Sequence, residues 1–156
     1  MVRSLFGRSS SPTIEVRRIL VGTDRSETAE RAVAWAADMA ARYEAELVLV
    51  QVLREVDAGA MERTKGDLHE HAKTLAGERA RAVVLVDTDA ARAIVSAARD
   101  EKADVVVVGS VGMSGRKEFL LENVPNRVSH NAPCTVVIVQ THGGDSGGIG
   151  SADGSV

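Results

Sequence analysis

The chain has 156 residues, of which 44% are hydrophobic and 26% are charged, and its formal net charge is −3. This length predicts one domain that can bury a core without disulfides or metal ions. The weakly negative charge does not favour nucleic-acid binding, which depends on clustered Lys and Arg. The sequence has no apolar run near the roughly 18 residues of a membrane span, and its opening residues lack the apolar centre of a secretory signal.

The single cysteine, Cys134, excludes a disulfide within these residues and fits a reducing compartment. It precedes an apolar run that predicts a strand, so we expect a buried structural thiol rather than a nucleophile. Since no membrane span or signal is predicted either, we expect a cytoplasmic protein.

Apolar β-branched runs alternate with helical patterns over residues 14–141, which we interpret as one domain. Residues 1–13 predict a flexible arm, and the Gly/Ser-rich residues 142–156 predict a disordered tail. The predicted strands are 19–21, 47–53, 83–86, 105–108 and 135–139. This alternation predicts a single doubly wound, Rossmann-like parallel sheet of five strands, flanked by about four helices.

Four helices are predicted between these strands. The first follows the capping residues of GTDRSE and buries a stripe formed by Ala29, Ala32, Val33, Ala36, Ala40 and Tyr43, with Trp35 off the stripe. The second, around Leu68, is the least defined, because Gly59, Gly66 and Gly77 interrupt it. The third is marked by Ala90, Ile94, Ala97 and Ala98, and the fourth spans 124–131.

Polar and glycine-rich segments follow three of the predicted strands. Asp24 follows the first strand, the segment 87–89 follows the third, and a loop with Gly109, Gly112 and Gly115 follows the fourth. In a doubly wound sheet these segments meet in a crevice beyond the carboxyl ends of the strands. Glycines there let backbone N–H groups approach a phosphate-sized anion, although they also serve simply to turn a strand into a loop.

Four segments together resemble the universal stress protein family over residues 16–141: ILVGTDRSE, LVLVQV, VVVVGSVGMSG and VPNRVSHNAPCTVVIV. Members of this family are small α/β proteins, commonly homodimers, and one branch binds ATP in the strand-end crevice. The resemblance implies that Asp24 meets the ribose or adenine, with Gly22 in the same set, and that Val52 lines the adenine slot.

The resemblance also implies that Val108, Gly109 and Gly112 offer main-chain groups to the ribose and phosphates. Asn123 stands where the family has a Ser or Thr that touches the phosphates, and Val124 lies beside it. The implied cofactor is ATP, ADP or AMP, with Mg²⁺ as a companion of the nucleotide.

The phosphate loop departs from the family pattern, which reads Gly, two residues, Gly, nine residues, Gly, then Ser or Thr. Gly109 and Gly112 match, but Glu122-Asn123 replaces the final pair. A carboxylate a few Å from a phosphate is repulsive by about 1 kcal/mol in water. We therefore expect nucleotide binding to be weakened or restricted to AMP or ADP. The alternatives are that Glu122 turns outward, that its carboxylate occupies the anion site, or that Mg²⁺ bridges it to the phosphates.

The side chains at the third strand end bear on the same question. Asp87 and Asp89 would add negative charge to the crevice, although Asp89 equally fits a helix cap.

The sequence favours a regulatory nucleotide-binding module, not an enzyme, because it offers no paired nucleophile and base and no phosphate-clamping Lys or Arg. The alternatives are a nucleotide-free homodimer that acts through contacts with an unknown protein partner, and a slow ATPase. The apolar run 135–139 is a candidate edge strand for dimer pairing.

Several other patterns are weaker. The protease-like GDSGG of 144–148 lies in the tail, and the run 115–118 is either a phosphate-attracting or a solvated loop. His69 and His71 are two residues apart, which suits a solvated helix face better than a metal pair. His130 is expected to cap carbonyls at the carboxyl end of a helix or to interact with the helix dipole.

Overall fold

The computed structural model describes residues 13–110 and 123–141, and there the chain forms five strands and four α-helices in alternation. In chain order these are β1 (Arg18–Thr23), α1 (Glu27–Tyr43), β2 (Glu46–Leu53), α2 (Ala58–Ala76), β3 (Ala80–Val86), α3 (Ala90–Asp100), β4 (Val105–Gly109), α4 (Val124–Asn131) and β5 (Thr135–Val139). A short 3₁₀ turn, Gly77–Arg79, joins α2 to β3. The predicted arm (1–13) and tail (142–156) lie, apart from residue 13, outside the described residues.

All five strands are parallel, in the order β3-β2-β1-β4-β5. The chain starts in the centre of the sheet, moves outward through β2 and β3, and returns to the other side of β1 at β4. The predicted doubly wound, Rossmann-like sheet with about four helices is therefore confirmed. Its switch point lies between β1 and β4, where such folds hold their ligands.

Side chains alternate between two faces of the sheet and build two cores. The α3/α4 face contains Leu20, Val50, Ile94 and Val106, whereas the α1/α2 face contains residues such as Val21 and Leu49. Both cores consist of Val, Leu, Ile and Ala, in keeping with an aromatic content of 3%. Trp35 is only partly buried against the α1/α2 core.

Helix α1 follows its predicted pattern except at its end. The Ser26 hydroxyl caps it by accepting the Ala29 N–H at 3.2 Å, and the predicted alanines and Val33 are buried. Tyr43, predicted as part of the buried stripe, is 48% exposed. That prediction is wrong because Tyr43 is the last residue of the helix and the chain turns away through Glu44 at φ 54°.

Helix α2 is continuous through two of the glycines that were expected to interrupt it. Gly59 and Gly66 lie inside the helix, and a Cβ at Gly66 would meet nothing within 4 Å. The helix holds because Asp57 caps it, accepting the Ala60 N–H at 2.7 Å, and because Leu68 is fully buried. Gly77, at φ 57°, does end it.

Strand β3 begins three residues earlier than the predicted 83–86. Ala80, Arg81 and Ala82 have weak intrinsic strand preference, yet they pair with Leu47–Leu49 of β2. Pairing with a neighbouring strand therefore overrides local propensity here.

Candidate functional site

The carboxyl end of β1 leads into a loop that side chains hold in place. Asp24 is 5% exposed, and its Oδ1 accepts the Ser26 N–H at 2.9 Å. Thr23 Oγ1 accepts the Arg25 N–H at 3.0 Å, and Arg25 takes the left-handed conformation at φ 65°. The predicted ribose- or adenine-contacting residue thus lies at the switch point in a braced loop.

Three predicted site residues belong to the buried apolar core on the α3/α4 face. Val52 at the end of β2, Val108 at the end of β4 and Val124 at the start of α4 all belong to it, with at most 3% of each exposed. They come from three separated segments of the sequence. The structure therefore places Val52, the predicted adenine-lining residue, in the same apolar core as Val108 and Val124, and these three residues are called the valine cluster below.

Gly22 lies inside β1 beneath helix α3. A Cβ at Gly22 would lie 3.1 Å from Cδ1 of Ile94 and 4.0 Å from Cγ1 of Val108. In this structure the small residue lets α3 pack closely on the sheet next to the valine cluster.

Gly109, at the end of β4, has a close neighbour of its own. A Cβ there would lie 2.7 Å from Cγ2 of the fully buried Thr141, which is closer than real Cβ contacts. The next residue, Ser110, joins the same place: its hydroxyl donates to Gln140 Oε1 at 2.6 Å and accepts the Thr141 N–H at 3.1 Å. Gly109 thus fits the packing of two strand ends. Gly112 and Glu122 lie outside the described residues.

Asn123 begins helix α4 in a conformation that few residues adopt. Its φ is 39° and its ψ is 57°, a left-handed geometry that Asn tolerates better than most non-glycine residues. Its side chain is exposed and makes no capping bond to the helix. The amide is therefore not committed to the helix end.

The acidic residues after β3 form ion pairs, which the sequence did not predict. Arg127 of α4 donates from both terminal nitrogens to the two Asp89 oxygens, each at 2.8 Å. Asp89 also caps α3 by accepting the Arg92 N–H at 3.0 Å, and Asp87 pairs with the Arg92 guanidinium.

These bonds change the electrostatics expected of the crevice. The Arg127 guanidinium holds the pKa of Asp89 below its usual value, and Arg92 does the same for the pKa of Asp87. The expectation that the two carboxylates add uncompensated negative charge is therefore wrong, whereas the alternative of Asp89 as a cap is confirmed. The role of Arg127 was not predicted, because its partner Asp89 is 38 residues away and no local sequence pattern indicates the pair.

The histidines and the cysteine considered in the sequence analysis lie in helices or next to a strand. His71 Nε2 lies 3.1 Å from Glu30 Oε2 and links α2 to α1, so the expected fully solvated face is wrong for this residue. His130 lies in the last turn of α4, and its predicted interaction with the helix end stays a prediction. Cys134 is only partly buried, and burial raises the pKa of its thiol. Segments 115–118 and 144–148 lie outside the described residues.

Within 13–110 and 123–141, no three His, Cys, Asp or Glu side chains converge on a point that could hold a metal ion. No helix there is long and apolar enough to cross a membrane.

A five-stranded parallel sheet with strand order β3-β2-β1-β4-β5 and helices on both faces defines a doubly wound α/β protein. Within that class, the family model of the universal stress protein family matches residues 15–140. The chain belongs to the universal stress protein family.

Individual relatives agree with this assignment. A universal stress protein of Mycobacterium tuberculosis is 34% identical over 145 residues, covering 80% of this chain and 97% of the relative. A universal stress protein solved in complex with cAMP is 31% identical, with a TM-score of 0.63 and coverage of 82% and 99% of the two chains. A universal stress protein of Archaeoglobus fulgidus, solved in complex with dAMP, shares the fold at a TM-score of 0.60 and 19% identity, covering 81% of this chain and all of that one.

Proposed function

We propose that this protein is a regulatory module that binds an adenine nucleotide at the carboxyl ends of β1, β2 and β4. The observation that carries the proposal is that Val52, Val108 and Val124 belong to one buried apolar core and that they lie near the ends of the elements that carry them, while Asp24 follows β1 in a braced loop. An apolar slot with a few polar groups at its rim is the usual composition of a small-molecule site. The cAMP complex of the 31% identical relative supports the choice of an adenine nucleotide.

The roles within the site follow the same arrangement. Asp24 contacts the ribose or adenine, with Gly22 in the same set, while Val52 lines the adenine slot and the main chain at Val108 contacts the ribose. The main chain at Gly109 and Gly112 and the amide of Asn123 contact the phosphates. Any Mg²⁺ comes bound to the nucleotide, for which one or two protein carboxylates suffice.

We further propose that Glu122-Asn123 weakens binding to the longer phosphate chains. Asn123 supports this because its left-handed backbone and uncommitted amide keep a donor at the helix start. A carboxylate from the preceding residue opposes a polyphosphate by about 1 kcal/mol, or roughly fivefold in affinity.

Calorimetric titration of ATP, ADP and AMP, with and without Mg²⁺, tests this function. Wild-type protein is expected to bind, and Glu122→Gly/Asn123→Ser to bind ATP about fivefold more tightly. Asp24→Asn should weaken binding at least tenfold, whereas the control Asp100→Asn, an exposed carboxylate at the end of α3, should not. If neither the wild type nor the Glu122/Asn123 variant binds ATP, ADP or AMP, nucleotide binding is refuted.

We propose that the nucleotide acts as a signal and is not consumed. Incubation of the purified protein with labelled ATP is expected to release no phosphate above the rate of an Asp24→Asn variant. Turnover that this substitution abolishes would favour a slow ATPase instead.

A second candidate function, a dimer that acts through protein contacts, is favoured by the open edge of β5. This strand lies at one end of the sheet, and Ile138 on it is 47% exposed. Exposed apolar edge strands tend to pair. A homodimer through Thr135–Val139 would cover Ile138, whether or not nucleotide is bound.

Ile138→Lys is expected to convert the dimer to a monomer, because it places a charge on the pairing edge. Light scattering after size exclusion measures this. Val86→Lys is the matched control: Val86 is 50% exposed on the opposite edge strand, β3. A dimer that persists in Ile138→Lys, or that is lost equally in both variants, would count against pairing through β5.

A further inference from the structure

A polar surface cavity of about 550 Å³ lies between helix α2 and the carboxyl ends of β1 and β2. It opens on the α1/α2 face, whereas the valine cluster lies on the α3/α4 face. Its wall on α2 runs from Thr64 to Thr74, a distance of about 15 Å along the helix. The proposed nucleotide site does not use this space.

The floor of the cavity carries a buried amide that has no partner. Gln51 is 8% exposed, and its side chain forms no hydrogen bond within the described part of the chain. In the described part of the chain, Arg18 Nε is the one side-chain nitrogen or oxygen that is both fully enclosed and unpartnered. The unpartnered Gln51 amide is therefore not fully enclosed and can be reached from the cavity. The Gln51 amide lines the cavity. Buried amides normally find a partner, so Gln51 is available to an occupant.

Charges of both signs line the same cavity. Arg25, the left-handed residue that follows Asp24, is exposed at one side of the cavity. Asp67 and Glu70 are exposed on α2. None of these three side chains forms an ion pair with another residue in 13–110 or 123–141. His71, by contrast, is held by Glu30 and forms a fixed wall.

We propose that this cavity binds a small zwitterionic ligand of the amino-acid class. Its carboxylate pairs with the Arg25 guanidinium, its cationic groups pair with Asp67 and Glu70, and its polar atoms bond to the Gln51 amide. Because the two carboxylates outnumber the one guanidinium, the cavity favours dibasic amino acids over acidic ones. The proposal does not depend on the nucleotide site.

Titration of the uniformly ¹⁵N-labelled full chain with L-arginine, L-lysine and L-glutamate, at fixed pH and ionic strength and without nucleotide, tests this site. L-arginine and L-lysine are expected to shift the Gln51 side-chain amide and the Arg25 backbone signals saturably, and L-glutamate at least tenfold more weakly. Arg25→Gln and Gln51→Met should each weaken binding about tenfold, because each removes a strong hydrogen-bonding group at the cavity wall. Arg99→Gln, which changes an exposed arginine on α3, is the matched control and should bind as the wild type does.

The absence of saturable shifts with every amino acid would overturn the proposal, as would equal binding by Arg25→Gln and Arg99→Gln. Shifts of the same signals by ATP, with displacement of L-arginine, would overturn it in a different way, because the cavity would then be part of the nucleotide site. A protein that binds L-arginine but not ATP would retain this site and lose the proposed function, so the two failures are distinguishable.

Discussion

Gly109→Ala is expected to lower the free energy of unfolding by about 1–3 kcal/mol, the usual cost of overpacking. The added methyl group would lie 2.7 Å from Cγ2 of Thr141, so something must move. Thr141 cannot yield easily, because it is fully buried and its backbone N–H is bonded to the Ser110 hydroxyl. The smaller unfolded-state entropy of Ala offsets only about 0.4–1 kcal/mol. Urea denaturation measures the change.

Thr141→Ser provides the matched partner for this experiment. It removes the Cγ2 atom that the new methyl would strike and keeps the hydroxyl that lies 3.3 Å from Ser110 Oγ. In the double variant, the cost should be lower than the sum of the single costs by about 1 kcal/mol or more. Strictly additive costs would show that the contact is not what destabilises Gly109→Ala.

The same variants separate two explanations of the glycine. If Gly109 serves only the approach of a phosphate, Gly109→Ala should retain full stability and lose nucleotide affinity. If it serves packing, stability falls and Thr141→Ser restores it. Measuring nucleotide affinity on the double variant, whose fold is restored, shows how much of the ligand role remains.

Much of the fold was predictable from local pattern. Runs such as 105–108 are buried on both faces, and a β-branched run of that kind suits the interior of a parallel sheet. Capping residues and apolar spacing predicted helices α1 and α3. The start of β3 did not, because Ala80 and Arg81 become a strand only by pairing with β2.

The location of the candidate site could be proposed from the sequence, whereas the interactions within it could not. Strand ends identified Asp24 and Gly109, and the resemblance to the family added Val52 and Val124. The contact between Gly109 and Thr141 and the pairing of Asp89 with Arg127 join distant segments. Neither depends on a local sequence signal, since each arises only when two elements pack together.

Asp89→Ala is expected to cost about 1–3 kcal/mol of unfolding free energy, because Asp89 has two structural roles. It caps α3 through the Arg92 N–H, a contribution of about 1 kcal/mol. It also forms the two-bonded pair with Arg127, which joins α3 to α4 next to the valine cluster. Asp89→Asn separates the roles, because Asn caps helices as well as Asp does but carries no charge for the guanidinium. The Asn variant should therefore lose about 1 kcal/mol less than the Ala variant.

The pH dependence of this difference follows from the lowered pKa of Asp89. A carboxyl whose pKa is lower in the folded than in the unfolded state binds fewer protons when folded. Its contribution is present above the unfolded pKa, about 3.9, and is lost as the pH falls through the folded value. The stability gap between wild type and Asp89→Asn should therefore be constant near neutral pH and shrink below about pH 4. Taking the difference cancels the acid response of Asp87, whose pKa is also lowered.

Arg127→Gln completes a double-mutant cycle with Asp89→Asn and also tests whether the ion pair supports nucleotide binding. If the ion pair is the source of the effect, Asp89→Asn should cost little in an Arg127→Gln background, and the pH dependence of the gap should disappear. Because Arg127 sits in the same short helix as Val124, loosening the pair should also weaken nucleotide binding without touching the nucleotide. An unchanged pH-dependent gap in the Arg127→Gln background would assign the effect to the α3 cap and remove Arg127 from the support of the site.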